Sequence, residues 1–221
     1  MIRQEHKHII WDWNGTLVND TVFCTELLNE SLRKYSLPEI SVDHYRETFH
    51  FPVKSFYEQL GFWDARVSFE EISLIFIESY RAGWKHCQLH TNAMDLFNLC
   101  QKKGISQSVL SASKQEPLEE YISHFSINHY FTDLVGVNHH YASSKVDEGK
   151  IWLDRHHLRA EEMVLVGDTA HDYEVAQELG TDCILVAHGH YHKDRLLETG
   201  ATVVESFAEL YDYLLNHHEA I

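Results

Sequence analysis

Six short β-rich apolar runs, separated by helical patterns, constrain this chain more than any other feature. They are His8–Trp11, Ser108–Leu110, Phe131–Val135, Met163–Val166, Cys183–Ala187 and Ala201–Val204. Strands that alternate with helices pair in parallel, and a parallel sheet has to be covered on both faces. The expectation is therefore an α/β architecture. Two of the helices carry clear end signals. Asn92 is placed to cap Ala93–Lys103, whose apolar positions are Met94, Leu96, Phe97, Leu99 and Cys100, with Gly104 beyond its end. Ser206 opens Phe207–Asn216, where Phe207, Leu210, Tyr211, Leu214 and Leu215 recur at helical spacing.

The stretch from about Val18 to Trp84 has a different texture. Helical periodicity runs through Thr21–Tyr35, Val42–Phe49, Val53–Leu60 and Phe69–Gly83, with no convincing strand. A parallel crossover needs only about a dozen residues, so the excess reads as an inserted helical cap. The length of 221 residues fits one domain with such an insert and not two catalytic domains. The expected division is a core of residues 1–17 and 85–221 and a cap of residues 18–84.

Composition removes several functions. With 44% hydrophobic residues the chain can fill a core. The balance of 18 Lys plus Arg against 34 Asp plus Glu, without a basic patch, speaks against nucleic acid as a partner. Cys24, Cys87, Cys100 and Cys183 lack Cys-x-x-Cys spacing, which argues against a zinc ribbon or redox dithiol and for thiols in a reducing compartment. The polar residues 1–8 and the lack of an apolar run near the roughly 20 residues that span a bilayer make a cytoplasmic protein, not a membrane one, the expectation.

Reactive side chains sit where an open parallel sheet gathers its chemistry, at the carboxyl ends of strands. Asp12 ends the first strand in Trp11-Asp12-Trp13-Asn14-Gly15-Thr16-Leu17. Ser111 follows Val109-Leu110, Lys145 precedes a helix, and Asp168 follows Val164-Leu165-Val166-Gly167 with Asp172 shortly after. Taken singly, each is an ordinary turn, cap or surface residue. Jointly, and in this order, they resemble the haloacid dehalogenase superfamily, in the phosphoglycolate phosphatase and β-phosphoglucomutase branch with a helical cap. The resemblance spans nearly the whole chain and implies a three-layer Rossmann-like core with a small phosphorylated metabolite as substrate. It makes Asp12 a nucleophile that becomes an acyl phosphate, with Mg²⁺ held by the Asp12 and Asp168 carboxylates and the backbone carbonyl of Asn14. Asp172 stands behind them, orienting a metal water or Lys145. Lys145 offsets negative charge, while the Ser111 hydroxyl and the Ala112 N–H bind a phosphoryl oxygen. Gly15 suits the tight turn.

The pattern departs from the family at Asn14, where its phosphatases carry a second aspartate that protonates the leaving group and then activates water. A carboxamide does neither, which removes assistance worth about 10²–10⁴-fold. Three accounts follow: a leaving group that needs no proton, His171 acting as substitute base, or deamidation at Asn14-Gly15. Lys145-Val146 also replaces the Lys-Pro common in this branch. Phosphonate cleavage through a Schiff base on the cap lysine Lys54, and a weakly catalytic phosphate-binding regulator, are the rival functions. In the cap, His50, Lys54 and Trp63 are candidates for substrate contact. His188, His190 and His192 invite a metal reading, but no carboxylate or cysteine adjoins them in sequence, so they read as surface histidines.

Overall fold

The computed structural model describes residues 2–3, 5–137, 145–156 and 159–217. Six strands, β1 (His8–Trp11), β4 (Ser106–Lys114), β5 (Asp133–Val137), β6 (Met163–Gly167), β7 (Asp182–Val186) and β8 (Thr202–Val204), form one sheet in the order β5-β4-β1-β6-β7-β8. Every neighbouring pair in it is parallel. Side chains alternate across a strand, so β1 feeds two cores. Ile9 and Trp11 pack with Phe97, Phe207, Leu210 and Leu214 of helices α5 (Ala93–Lys102) and α10 (Phe207–His217). Ile10 points the other way, onto Trp152 of α7 (Lys145–His156) and Val175 and Leu179 of α8 (Ala170–Leu179). A sheet covered on both faces by helices is the three-layer α/β architecture expected from the strand pattern.

The route of the chain creates the crevice. After β1 it moves outward to β4 and β5 on one side, then returns to β6 and continues through β7 and β8 on the other. Loops leaving the carboxyl ends of β1, β4 and β6 therefore diverge, which opens space above the central strand.

Helices α1 (Thr21–Lys34), α2 (Val42–Thr48), α3 (Val53–Gln59) and α4 (Phe69–Gly83) enclose their own cluster: Leu28, Leu32, Tyr45, Phe56, Tyr57, Phe62, Val67 and Ile72. Phe56 and Phe62 are each 1% exposed, and such burial contributes about 1.5–3 kcal/mol per side chain. The stretch read as strand-free contains one short strand, β2 (Val18–Asn19), paired antiparallel with β3 (Gln88–Leu89). Two residues carry too little alternation to register as a pattern. This ribbon ties the two ends of the helical segment together where they meet the core.

Two local expectations need correction. Asn92 stands at the start of α5 in a left-handed conformation, φ 67°, and its side chain makes no capping hydrogen bond to the helix backbone. Its amide donates to Asp95 Oδ2 at 3.3 Å instead. Strand β4 runs on to Lys114 past the expected end at Leu110, with a register shift against β5 between those residues. The polar run Ser111-Ala112-Ser113 hides this extension from hydropathy.

Candidate active site

Asp12, Lys145, Asp168 and Asp172 come together at the carboxyl ends of β1 and β6. Lys145 is 2% exposed and donates from Nζ to Asp12 Oδ1 at 2.6 Å and to Asp172 Oδ1 at 2.7 Å. Burying an ammonium is costly unless it is paired, and two carboxylates raise the lysine pKa above its ordinary value despite burial. Thr16 Oγ1 lies between Asp12 and the remaining acid, 3.2 Å from Asp12 Oδ2 and 2.8 Å from Asp168 Oδ1. Gly15 turns the chain between Asp12 and Thr16 at φ 73°, and a Cβ there would stand 2.3 Å from Asp168 Oδ2. A larger residue at Gly189 would stand 2.1 Å from the same oxygen.

Burial pushes Asp12 up to about 6, with the Lys145 charge opposing and Asp172 adding. Burial likewise pushes Asp168 up to about 7, with His190 opposing and Asp172 and Asp12 adding. Asp172 is held low: burial would raise it, but the Lys145 charge and hydrogen bonds from Lys145 and Thr169 outweigh that. Its Oδ2 accepts from the Asp168 N–H, the Thr169 N–H and the Thr169 hydroxyl at 3.2, 3.0 and 2.8 Å. Three buried carboxylates face one ammonium. Carboxylate oxygens of Asp12, Asp168 and Asp172 lie within 4.8 Å of one another. The excess negative charge and all-oxygen donor set suit a hard divalent cation.

The other anticipated residues fall into place less tightly. Ser111 is buried within β4, and its Oγ accepts the Ser113 N–H at 3.0 Å, which leaves the hydroxyl proton free to donate. Ala112 is half-buried beside it. Asn14 has every amide atom engaged: Nδ2 donates to Asp20 Oδ2 at 2.6 Å and to Tyr80 OH at 2.8 Å, and Oδ1 accepts from Ser113 Oγ at 3.2 Å. His171 packs against Phe51 of the helical segment, ring centroids 4.7 Å apart and planes tilted by 34°, and its buried Nε2 has no hydrogen-bond partner among the described residues. Lys54 and Trp63 line a pocket with Tyr57, Glu58 and Phe62, apart from the acidic residues. His50 is spent on Thr48 O and Ser55 Oγ.

The three histidines after β7 are not a surface tract. His188 is half-buried and stacks on His90 at 3.6 Å, with Nε2 at 3.1 Å from Thr16 O. His190 is 6% exposed, its Nε2 is 3.3 Å from Asp20 Oδ1, and its Nδ1 is 3.1 Å from Tyr45 OH. Only His192 of the three is exposed, at the start of α9 (Lys193–Leu197). The turn over residues 187–191 folds this segment inward, so alternation along an extended strand does not apply. Asp20, fully buried, also escaped sequence reading. Before a helix it resembles an N-cap, yet it makes no capping bond to α1 and accepts instead from the Gly15 N–H at 2.9 Å, Asn14 and Tyr80 OH. Thr16 and Ser113 were likewise missed, because a hydroxyl near a strand end carries no distinctive signal.

Such a layout is that of a capped α/β enzyme working at the carboxyl edge of a parallel sheet. More narrowly, the chain belongs to the haloacid dehalogenase-like hydrolases, whose family model matches residues 9–186. The tyrosine-protein kinase PtkA of Mycobacterium tuberculosis is 24% identical over 204 residues, 91% of this chain and 69% of that one. A phosphoglycolate phosphatase of Aliivibrio fischeri is 23% identical over 135 residues, 60% of this chain and 58% of that one. Among solved structures, a haloacid dehalogenase-like hydrolase of Streptococcus pneumoniae superposes with a TM-score of 0.80 at 20% identity, over 95% of this chain and 99% of that one. No helix among the described residues is long and apolar enough to cross a membrane.

Proposed function

We propose that the chain cleaves a small phosphorylated metabolite by in-line attack of the Asp12 carboxylate on phosphorus, forming an aspartyl phosphate that water then hydrolyses. The observation that carries this reading is the pairing of Lys145 Nζ with Asp12 Oδ1 at the carboxyl end of β1. It keeps a buried carboxylate anionic and aims it into the crevice. Asp12, Asp168 and the Asn14 backbone carbonyl would hold Mg²⁺, which when bound neutralises phosphoryl and carboxylate charge. Asp172 is saturated by Lys145, Thr169 and the Asp168 N–H, so its part is to fix Lys145 rather than to bind metal. Ser111 and the Ala112 N–H would donate to a phosphoryl oxygen.

Asn14 sets the substrate class. Its amide cannot transfer a proton and is locked to Asp20, Tyr80 and Ser113, so leaving groups that depart unprotonated are favoured: acyl phosphates, enol phosphates and anhydrides. Phosphoglycolate, the substrate named for the Aliivibrio relative, needs protonation and should turn over poorly. A panel of acyl, enol, sugar and nucleotide phosphates and phosphoglycolate, assayed for phosphate release with and without Mg²⁺, tests this directly. Release from none of them, or full activity in Asp12→Asn, would sink the proposal.

A second reading rests on the same residue and on the relative named as a tyrosine-protein kinase. With no general base at position 14, water attacks the aspartyl phosphate slowly, and a hydroxyl acceptor could take the phosphoryl group instead. Single-turnover labelling with acetyl phosphate separates the two: transfer to an added hydroxyl compound that outpaces phosphate release supports the second.

A further inference from the structure

Next to Asp12 and Asp168 lies a second group of ligand-type side chains. Asp20, Cys24 and His190 are 0%, 5% and 6% exposed. They offer a carboxylate oxygen, Sγ and Nε2 within 4.8 Å of one another. His190 Nε2 is 3.3 Å from Asp20 Oδ1, and Cys24 Sγ is 3.8 Å from Asp20 Oδ2. The two distances run to different oxygens of the Asp20 carboxylate; a tetrahedral zinc takes one of them, with Sγ and Nε2 as its other protein ligands. We propose that Asp20, Cys24 and His190 form a zinc site, distinct from the magnesium position but joined to it by the His190 N–H, which donates to Asp168 Oδ2 at 2.6 Å.

The surroundings are those of a ligand set already oriented. A metal-bound histidine is usually fixed through its other ring nitrogen, and a ligating carboxylate through further hydrogen bonds. His190 Nδ1 faces Tyr45 OH at 3.1 Å, which reserves Nε2 for the metal. Asp20 is held by the Gly15 N–H, the Asn14 amide and Tyr80 OH. Each carboxylate oxygen has two lone-pair directions, so Oδ1 keeps one toward His190 while accepting from Gly15.

Binding would release the Cys24 thiol proton, because the thiolate is the form that ligates a metal. The mixed nitrogen, sulfur and oxygen donors select a borderline-soft ion over magnesium. An ion pair accounts for Asp20 and His190, and Cys24, which packs in the apolar core, turns its thiol toward Asp20 Oδ2 and adds a third ligand-type group. A bound ion would pin the first turn of α1 to the loop after β7, and so one end of the helical segment to the core.

Equilibrium dialysis of the chelator-treated full chain against buffered zinc, with excess Mg²⁺ present, should give one tightly held zinc per chain. Cys24→Ser should weaken that binding at least about 100-fold, and Cys183→Ser should not change it. Cobalt substitution should add a thiolate-to-cobalt charge-transfer band that Cys24→Ser abolishes. Should Cys24→Ser fail to fold, the wild-type cobalt spectrum still decides. No tight zinc in wild type, retention in Cys24→Ser, or a cobalt complex without the thiolate band each overturns the site.

Discussion

Replacing Asn14 with aspartate places a carboxylate in surroundings that disfavour it. Asn14 Nδ2 donates to Asp20 Oδ2 at 2.6 Å; in Asn14→Asp an oxygen takes the place of that donor. Two unit charges at that separation repel by about 6 kcal/mol at an effective dielectric of ~20. The hydrogen bond lost to a charged acceptor is worth about 1.5–3 kcal/mol. The pair relieves most of the repulsion by sharing a proton, so the variant should be destabilised by about 2–4 kcal/mol at neutral pH. Because the shared proton raises a carboxylate pKa in the folded state only, the folded form binds more protons than the unfolded one, and the penalty should shrink as pH falls and grow as it rises. Denaturant unfolding of the zinc-free protein at pH 5 and pH 8 reads both signs. A double-mutant cycle with Asp20→Asn isolates the pair, since in that background the introduced carboxylate faces an amide and the penalty should drop by about 3 kcal/mol. In the same background, turnover of an alkyl phosphate should rise by about 10²–10⁴-fold over Asp20→Asn alone, as a general acid returns. If Asn14→Asp is as stable as wild type at pH 8 and the cycle shows no coupling, the argument that Asp20 disfavours a carboxylate at position 14 is wrong.

Lys145→Met should lower turnover by several orders of magnitude and destabilise the fold by about 3–5 kcal/mol, because it strands Asp12 and Asp172; Mg²⁺ should recover part of that stability in thermal melts. His171→Ala should leave phosphate release within a few-fold, since Nε2 has no proton-transfer partner and the ring serves to pack on Phe51; a loss above 100-fold in steady-state assays would make it the substitute base. Burial holds His90 down at about 3, with His188 adding, and holds His188 down at about 4. Both stay neutral when folded, so the stability they contribute is full above the unfolded value of about 6.5 and is lost as pH falls below it, at up to about 1.4 kcal/mol per pH unit per histidine. His90→Asn should flatten that acid limb in equilibrium unfolding.

The acidic cluster was readable because chemistry and topology coincide there. Asp12 and Asp168 each end an apolar run, and parallel pairing of β1 with β6 puts such ends side by side whatever the intervening sequence. Lys145 was readable only through its place in an ordered set, since nothing local distinguishes a lysine that will be buried. The reading failed where partners lie far apart in sequence. His190 looked solvated because its ligand-type neighbours, Asp20 and Cys24, are separated from it by the whole helical segment and most of the core. Asp20 looked like a helix cap because a free helix would use it so, and tertiary contacts with Gly15 and Tyr80 overrode that preference. Asn92 failed the opposite way: its backbone took a left-handed turn that carries the side chain off the helix axis.

Asn14 and Asp20 together suggest how the site is coupled to the helical segment. The carboxylate missing at position 14 is present at position 20, within one hydrogen bond of the amide that replaced it, and it touches the core through Gly15 and His190 and the helical segment through Tyr80 of α4. Arg46, at the end of α2, reinforces this seam by donating to the carbonyls of Gly189 and His188 at 2.9 and 3.3 Å, while Arg195 donates back to the Arg46 and Phe49 carbonyls at 2.8 and 2.7 Å. Opening the segment away from the core would therefore break the charge-assisted bonds of Asp20, Arg46 and Arg195 together. It also frees the Asn14 amide from Tyr80, on the nucleophile's own loop. Substrate entry and the posture of that loop are then one event. Tyr80→Phe, which removes a single hydroxyl from the seam, should speed opening and raise KM with little change in kcat, whereas a change confined to kcat would mean that the hydroxyl serves the chemical step.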